Sequence, residues 1–180
     1  ISYLETHQLT GDESLAATAR DIFDYVLTDM THSGGGFYSA EDADSVIDPS
    51  EPHEKGEGAF YVWSAEELDR VLTAAEAEEV KYVYGVEARG NVHEDPHNEF
   101  RGKNIFYQAA GVRDPLALSS AKRKLLEARA RRVRPHLDDK IIAAWNGLMV
   151  SAYARAAEVL DEPRYLETAT RAAKFLRANL

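Results

Sequence analysis

Residues 141–153 read IIAAWNGLMVSAY, and Asn146 and Ser151 are the strongly polar side chains among them. A helix that is apolar nearly all round is stable when other parts of the protein surround it. The sequence therefore predicts an inner helix at this position, enclosed by neighbouring segments.

An amphipathic outer helix is predicted on each side of this stretch, at residues 12–30 and at residues 163–180. In both segments apolar side chains recur at steps of three or four residues, which is the spacing of one helix face. They are Leu15, Ala19, Ile22, Val26 and Met30 in the first segment, and Leu166, Ala169, Ala173, Leu176 and Leu180 in the second. We expect Asp161 to be the N-cap of the second helix, with Pro163 in its first turn.

A weak internal repeat relates the two ends of the chain. A shift of 150 residues superposes Tyr3 on Tyr153 and Ala19 on Ala169. In both copies a predicted inner helix turns tightly into an outer one, which is typical of repeated αα-hairpins. Such hairpins form either a closed toroid or an open solenoid, and two copies are compatible with both. The predicted fold class is mainly α, with a few short β-strands in an inserted region.

The interval 31–140 has a different character, and we expect it to be an elaboration between one outer helix and the next inner helix. Short aromatic strands are predicted at residues 34–39, 59–63 and 103–107. Helices are predicted from about residue 65 to 84, with a break, and from 114 to about 134. Both of these helices carry too many charges to be inner helices.

The alternation of the hairpins predicts that two polar stretches meet. Every outer-to-inner connection of such a repeat emerges at the same end. Residues 31–63 and residues 134–140 should therefore converge on one mouth of a domain that includes all of residues 1–180.

Composition excludes several classes of function. The chain has 21 Lys and Arg against 31 Asp and Glu, a net charge of −10, so its surface repels nucleic-acid phosphates and anionic lipid. We therefore expect no nucleic-acid partner and no membrane association. The absence of cysteine excludes disulfides, thiolate catalysis and iron–sulfur clusters from these residues. It also fits a cytoplasmic location.

The first candidate cluster is acidic and consists of Glu41, Asp42 and Asp44. Carboxylates held together at a cleft shift each other's pKa values, so that one acts as an acid and another as a base. That arrangement suits glycosidic or sugar-ring chemistry. The alternative is a solvated acidic loop, or a turn closed by the side chain of Asp42.

The second candidate cluster precedes and enters the inner helix. His136 is a candidate proton shuttle, and Asp138 is either an acid or base or a helix N-cap. Lys140 follows as a candidate binding group. Trp145 offers an indole face for a sugar ring, and Asn146 needs a hydrogen-bond partner because its helix is otherwise apolar.

The aromatic side chains of Tyr61 and Trp63 are further candidates for stacking on a sugar, although aromatic strands also pack on one another. Residues 93–97 contain metal-ligand residue types, but the proline and the polar residues among them favour a solvated loop. We therefore expect no metal site and no cofactor. The basic run at residues 122–134 is interpreted as an exposed helix face rather than as a site for RNA or an acidic partner.

Five motifs together resemble a known family. They are GGFYSAEDADS at 35–45, GAFYVW at 58–63, GKN at 102–104, RPHLDDK at 134–140 and AWNGLM at 144–149. In this order they resemble the spermatogenesis-associated, thioredoxin-domain-containing protein family. The resemblance implies a longer chain, in which an N-terminal thioredoxin-like domain, absent here, precedes an (α/α)6 toroid. Such a toroid is similar to six-hairpin glycosidases and N-acylglucosamine 2-epimerases.

Two functions are compatible with these residues and this resemblance. The first is a carbohydrate-active domain, a glycoside hydrolase or a sugar 2-epimerase-like enzyme, that takes a sugar or sugar phosphate. Its catalytic candidates are Asp42, Asp44, His136 and Asp138, and its substrate-binding candidates are Glu41, Tyr61, Trp63, Lys140, Trp145 and Asn146. The alternative is a non-catalytic binding or scaffold domain that supports the thioredoxin-like domain of the same polypeptide.

Overall fold

The fold is mainly α, as the sequence predicts. A computed structural model describes residues 1–179, and the chain divides into two compact units. The first unit comprises residues 1–41 and the chain from residue 137 onward, and the second comprises residues 42–136. Among the described residues, no helix combines the length and the apolar character that crossing a membrane requires.

The helices and strands are short to medium in length. In chain order they are α1 Ser2–Thr10, α2 Glu13–Asp29, β1 Ala40–Glu41, β2 Asp44–Val46, β3 Lys55–Glu57, α3 Ala65–Val71, α4 Ala74–Val83, α5 Pro115–Arg129, β4 Leu137–Asp138, α6 Ala143–Val159 and α7 Pro163–Asn179. The first unit contains the hairpins α1–α2 and α6–α7 and the antiparallel pair β1–β4. The second contains the hairpin β2–β3 and helices α3 to α5.

Each αα-hairpin turns through one residue in the left-handed region. Gly11 follows α1 with φ of 71°, and Asp161 follows α6 with φ of 53°. The two positions are related by the same shift as the sequence repeat, so the repeat includes the turn. The predicted N-cap role of Asp161 is wrong, because Glu162 separates it from the first residue of α7, Pro163. Aspartate is one of the few residues besides glycine that tolerates this conformation.

The core of the first unit is built around the ring of Tyr153 in α6. This ring lies 4.6 Å from the ring of Phe23 in α2 and 5.8 Å from that of Tyr165 in α7. It also stacks on Phe37 with 5.4 Å between ring centroids. Its hydroxyl donates to the carbonyl oxygen of Phe23 at 2.8 Å, and burial raises the pKa of Tyr153. One neutral phenol therefore joins both hairpins and the segment that follows α2.

The inner helix α6 is enclosed on one side only within the described residues. Asn146, Tyr153 and Ala156 are buried. On another face Trp145 is 55% exposed and Leu148 is 69% exposed. The expectation that other segments surround this helix is therefore not met by residues 1–179, in which α7, α1 and Phe23 of α2 pack against it.

The predicted break between residues 65 and 84 is confirmed as the boundary between α3 and α4. Each helix begins with a capping box, Ser64 with Glu67 and Thr73 with Glu76, in which hydroxyl and carboxylate accept from each other's backbone N–H groups. Because the capping box at Thr73 starts a new helix, α3 ends after two turns. This allows α4 to pack against α5.

Helix α5 is attached to α4 by two carboxylates that are almost fully buried. Glu76 is 6% exposed and accepts from Ser120 and Lys124, each at 2.7 Å. Glu79 is 3% exposed and accepts from the backbone N–H groups of Arg113 at 2.7 Å and Asp114 at 3.1 Å. Chiefly because Lys124 pairs with it, the pKa of Glu76 is lowered to about 2. Helix α5 ends at Arg129, earlier than the predicted end near residue 134.

The aromatic strand predicted at residues 34–39 does not form. Phe37 makes one isolated bridge with Thr31. Its own backbone N–H and C=O are bonded instead to the side-chain amide of Asn146, at 2.7 Å and 2.9 Å. An amide side chain thus takes the place of a neighbouring strand.

The aromatic strand predicted at residues 59–63 is a turn for a similar reason. The guanidinium of Arg132 donates to the carbonyl oxygens of Phe60 and Val62, both at 2.8 Å, so these groups are unavailable to a strand partner. Trp63 makes one isolated bridge with Asn104. That bridge is also the sole β pairing in the strand predicted at residues 103–107.

Candidate functional site

The strand pair β1–β4 brings two distant stretches of the sequence into register in the first unit. Ala40 lies opposite Asp138, and Glu41 lies opposite Leu137. Ser39 extends the contact, because its backbone N–H and its hydroxyl both donate to the carbonyl oxygen of Asp138, at 3.2 Å and 3.1 Å. The predicted proximity of these two stretches is therefore observed as a strand pair.

Asn146 joins the same region to the first turn of α6. Its side chain is 2% exposed. The oxygen accepts from the N–H of Phe37, and the nitrogen donates to the carbonyl oxygens of Phe37 and, at 3.1 Å, of Ile142. Both amide hydrogens are used within the fold. The predicted substrate-binding role of Asn146 is therefore replaced by a structural one.

Asp138 is an ionised carboxylate. Both of its oxygens lie 2.6 Å from Nζ of Lys140. The Lys140 ammonium is the main cause that lowers the pKa of Asp138, and the nearby hydroxyl of Ser39 adds to the effect. A carboxylate in this state accepts a proton or stabilises positive charge, and it is unsuited to the role of general acid near neutral pH.

Glu41 is held from the other side of the strand pair. Its Oε2 accepts a hydrogen bond of 2.6 Å from the hydroxyl of Tyr25 in α2. Because successive side chains of a strand point to opposite faces, the side chains of Glu41 and Asp138 lie on opposite faces of β1–β4. They do not form a facing acid–base pair. The sequence gives no signal for Tyr25, which lies on an amphipathic helix like any other surface residue.

Trp145 stands in the first turn of α6, beside the buried Asn146 in sequence. Its side chain is 55% exposed, so an indole surface is accessible to a ligand. The accessible candidates of the first unit are thus the Asp138–Lys140 ion pair, Glu41 and Trp145.

The remaining polar candidates belong to the second unit. The side chain of Asp42 closes a local turn, because its Oδ1 accepts a hydrogen bond from the backbone N–H of Asp44 at 3.2 Å. The N–H of Asp42 donates to the carbonyl oxygen of His136 at 2.8 Å. The side chains of Asp42, Asp44 and His136 are all exposed. The turn at Asp42 is the structural alternative that the sequence left open.

The two aromatic candidates of the second unit differ in access. Trp63 is 4% exposed, and the guanidinium of Arg132 lies 3.9 Å from its ring centroid. Its predicted stacking role is therefore unavailable, because the ring is part of the core. Tyr61 is 40% exposed, and the guanidinium of Arg129 lies 5.3 Å from its ring.

These features define a class of protein: a mainly α chain with two αα-hairpins in which a polar strand pair is fastened to the start of helix α6. No protein-family model matches the chain. It is, however, similar over its whole length to part of several known proteins.

Spermatogenesis-associated protein 20 of Homo sapiens is 38% identical over 207 aligned residues, which include 100% of this chain and 26% of that protein. The same-named protein of Rattus norvegicus is 36% identical, with 100% of this chain and 26% of that protein aligned. An uncharacterized protein of Caenorhabditis elegans is 31% identical, with 97% of this chain and 27% of that protein aligned. The chain thus spans about a quarter of the length of these relatives. The similarity agrees with the family resemblance of the motifs.

Proposed function

We propose that this chain is part of a carbohydrate-active α-helical toroid, with glycosidase-like or sugar-epimerase-like chemistry on a sugar or sugar phosphate. The observation that carries the proposal is the strand pair β1–β4. It sets the Asp138–Lys140 ion pair in a segment that is fastened, through Phe37 and Asn146, to the helix turn bearing the exposed Trp145.

The chemistry of these side chains suits a sugar. The Asp138 carboxylate would stabilise the positive charge that develops at the anomeric carbon, or accept a proton from the ring. Lys140 would donate to a hydroxyl or a phosphate oxygen. Trp145 would stack its apolar face on the face of the ring, with its N–H free for a polar contact.

The exposed face of α6 supports the toroid. Trp145 and Leu148 present apolar surface that an inner helix of a toroid would direct towards the lumen or towards further hairpins. The greater length of the relatives is compatible with such hairpins. Asp42, Asp44 and His136 of the second unit remain further candidates for acid or base, and Tyr61 for stacking.

The test is the substitution Asp138→Asn in the natural full-length protein, assayed for binding and turnover of a panel of sugars and sugar phosphates. Loss of a catalytic base or charge-stabilising group lowers the rate by about 100-fold or more. The matched control is Asp139→Asn, an exposed neighbour in the same segment, which should leave the rate unchanged. Equal rates for wild type and Asp138→Asn would reject the proposed role.

A scaffold function is the second candidate, in which the domain supports a thioredoxin-like domain of the same polypeptide. It is favoured by Asn146, Trp63 and Asp42, which all make structural contacts. This function predicts that Asp42→Ala, which removes the oxygen that accepts from the N–H of Asp44, lowers stability by about 0.5–1 kcal/mol. It also predicts no sugar-induced change in melting temperature in either wild type or variant.

A further inference from the structure

The second unit contains a cavity of about 250 Å³ beside the hairpin β2–β3. Its apolar wall is formed by Val46, Ile47 and Pro49 of the hairpin and by Val62 of the following turn. The cavity is smaller than the usual sites for drug-sized ligands, about 300–1,000 Å³. Its volume therefore suits a ligand of the size of one amino acid.

One side of the cavity is a fixed ion cluster with excess positive charge. Glu67 accepts from Lys103 at 3.3 Å and pairs with Arg132 at 3.4 Å. Burial alone would raise the pKa of Glu67, but the backbone N–H of Ser64 and these two cations lower it overall. One carboxylate thus faces two cations. Arg132 is also held by backbone carbonyls, so the cluster is preorganised.

Three charged side chains that line the cavity have no ion pair among the described residues. They are Arg131, Glu57 and Glu99. A simple anion would meet the two unpaired carboxylates, and a simple cation would meet Arg131 and the positive cluster. A ligand that carries both a carboxylate and an ammonium group complements both signs.

The wall at Ile47 favours an aliphatic ligand. Ile47 is 57% exposed, although it lines the cavity. It approaches Gly56 so closely that a Cβ at position 56 would lie 3.2 Å from its Cδ1. An aliphatic group in the cavity would cover part of this exposed apolar surface, which is favourable in proportion to the area removed from water.

From these observations we propose that the cavity beside β2–β3 binds a free aliphatic α-amino acid in its zwitterionic form. Its carboxylate lies towards Arg131 and the Lys103–Arg132 cluster. Its ammonium group lies towards Glu57 and Glu99, and its side chain lies against Val46, Ile47 and Val62. This site shares no catalytic candidate with the carbohydrate proposal and does not depend on it.

Isothermal titration calorimetry of the natural full-length protein tests the ligand class with three probes of one carbon skeleton. They are L-leucine, 4-methylpentanoate, which lacks the ammonium group, and 3-methylbutylamine, which lacks the carboxylate. We expect leucine to bind at least tenfold more tightly than either single-charge probe. Equal or tighter binding of either single-charge probe would overturn the proposal. The absence of a binding heat with leucine at about 10 mM, tenfold above a Kd of about 1 mM, would overturn it as well.

Substitutions test the place of binding. We expect the affinity for leucine to fall by about tenfold or more in Arg131→Gln and in the double variant Glu57→Gln with Glu99→Gln. Each variant removes a charge-assisted contact with the ligand. These side chains make no ion pair among the described residues, so thermal melts of the variants should match wild type. Arg123→Gln is the matched control. Arg123 is exposed and pairs with Glu127 at 3.2 Å, and neither residue lines the cavity. Leucine binding that all four proteins share equally would place it elsewhere and reject the site.

Discussion

The first unit packs its helices on aromatic rings, whereas the second joins its helices through carboxylates that are almost fully buried. In the first, the ring of Tyr153 contacts Phe23, Phe37 and Tyr165. In the second, Glu76 and Glu79 connect α4 to α5 and to the loop before it. Apolar packing is insensitive to pH, but a buried carboxylate stabilises a fold only while its partners hold it ionised. The two units should therefore fail under different perturbations.

The largest effect is expected for Tyr153→Ala. The change removes a fully buried ring and its hydrogen bond to Phe23, and such substitutions cost about 3–5 kcal/mol. Urea unfolding followed by circular dichroism measures the loss. The control is Tyr3→Ala, because Tyr3 is the repeat equivalent of Tyr153 and is 46% exposed. If Tyr3→Ala lowers the free energy of unfolding as much as Tyr153→Ala does, burial does not distinguish the two positions.

In the second unit, Arg132→Ala should destabilise the chain by about 2–3 kcal/mol, since it leaves the carbonyl oxygens of Phe60 and Val62 without their charged donor and removes one of the two cations beside Glu67. Arg131→Ala is the control, one residue away, with no ion pair among the described residues. It should change the free energy of unfolding by less than about 0.5 kcal/mol. Similar losses for both arginines would contradict the structural role of Arg132.

Asn146→Ala should cost about 2 kcal/mol, because the N–H and C=O of Phe37 lose their partner in a buried place. Ser151→Ala, an exposed change in the same helix, measures the effect of substitution in α6 itself. If the two variants unfold at the same urea concentration, the amide does not fasten this segment.

Acid should act first on the second unit. Glu76 has a pKa lowered to about 2, from an ordinary value of 4.5. The stability that it contributes is therefore complete above its unfolded value and is lost as pH falls from about 4.5 towards 2. In the variant Trp145→Phe the buried Trp63 is the only indole, so its fluorescence reports the second unit.

We expect that fluorescence to change across this pH range, and to change less in Glu76→Gln, which carries no titrating group at that position. A pH profile that is identical in the two proteins would exclude Glu76 as the source. The lowered pKa of Asp138 and of Glu162 in the first unit belongs to surface ion pairs, which solvent screens.

The helices could be predicted from the sequence because their signals are local. The apolar spacing of residues 12–30 and 163–180 and the capping box at Ser64 depend on neighbours within a few residues. Leu180, the last member of the second pattern, lies outside the described residues. The buried carboxylate of Glu76 has the same local signal, a Thr–Glu capping box. Its contacts with α5 have no such local signal, so the sequence did not predict that this carboxylate is buried.

The aromatic segments were wrongly predicted as strands, because the side chains that hydrogen-bond to their backbone groups are distant in the sequence. The amide of Asn146 and the guanidinium of Arg132 satisfy backbone groups more than 70 residues away. No periodic pattern records such contacts. The candidate site shows the same limit. The proximity of the stretches around Glu41 and Asp138 followed from the topology, but the face on which each carboxylate lies depends on strand register.

Disulfide cross-linking measures the register of β1 and β4, on which the candidate site is built. These 180 residues contain no cysteine, so in this stretch the pair Ala40→Cys with Asp138→Cys introduces the only two thiols, at positions that face each other. Mild oxidation should cross-link this pair rapidly, whereas Ala40→Cys with Lys140→Cys, displaced by two residues, should cross-link slowly. Equal rates for the two pairs, or no disulfide in the first, would contradict the strand pairing and the site that depends on it.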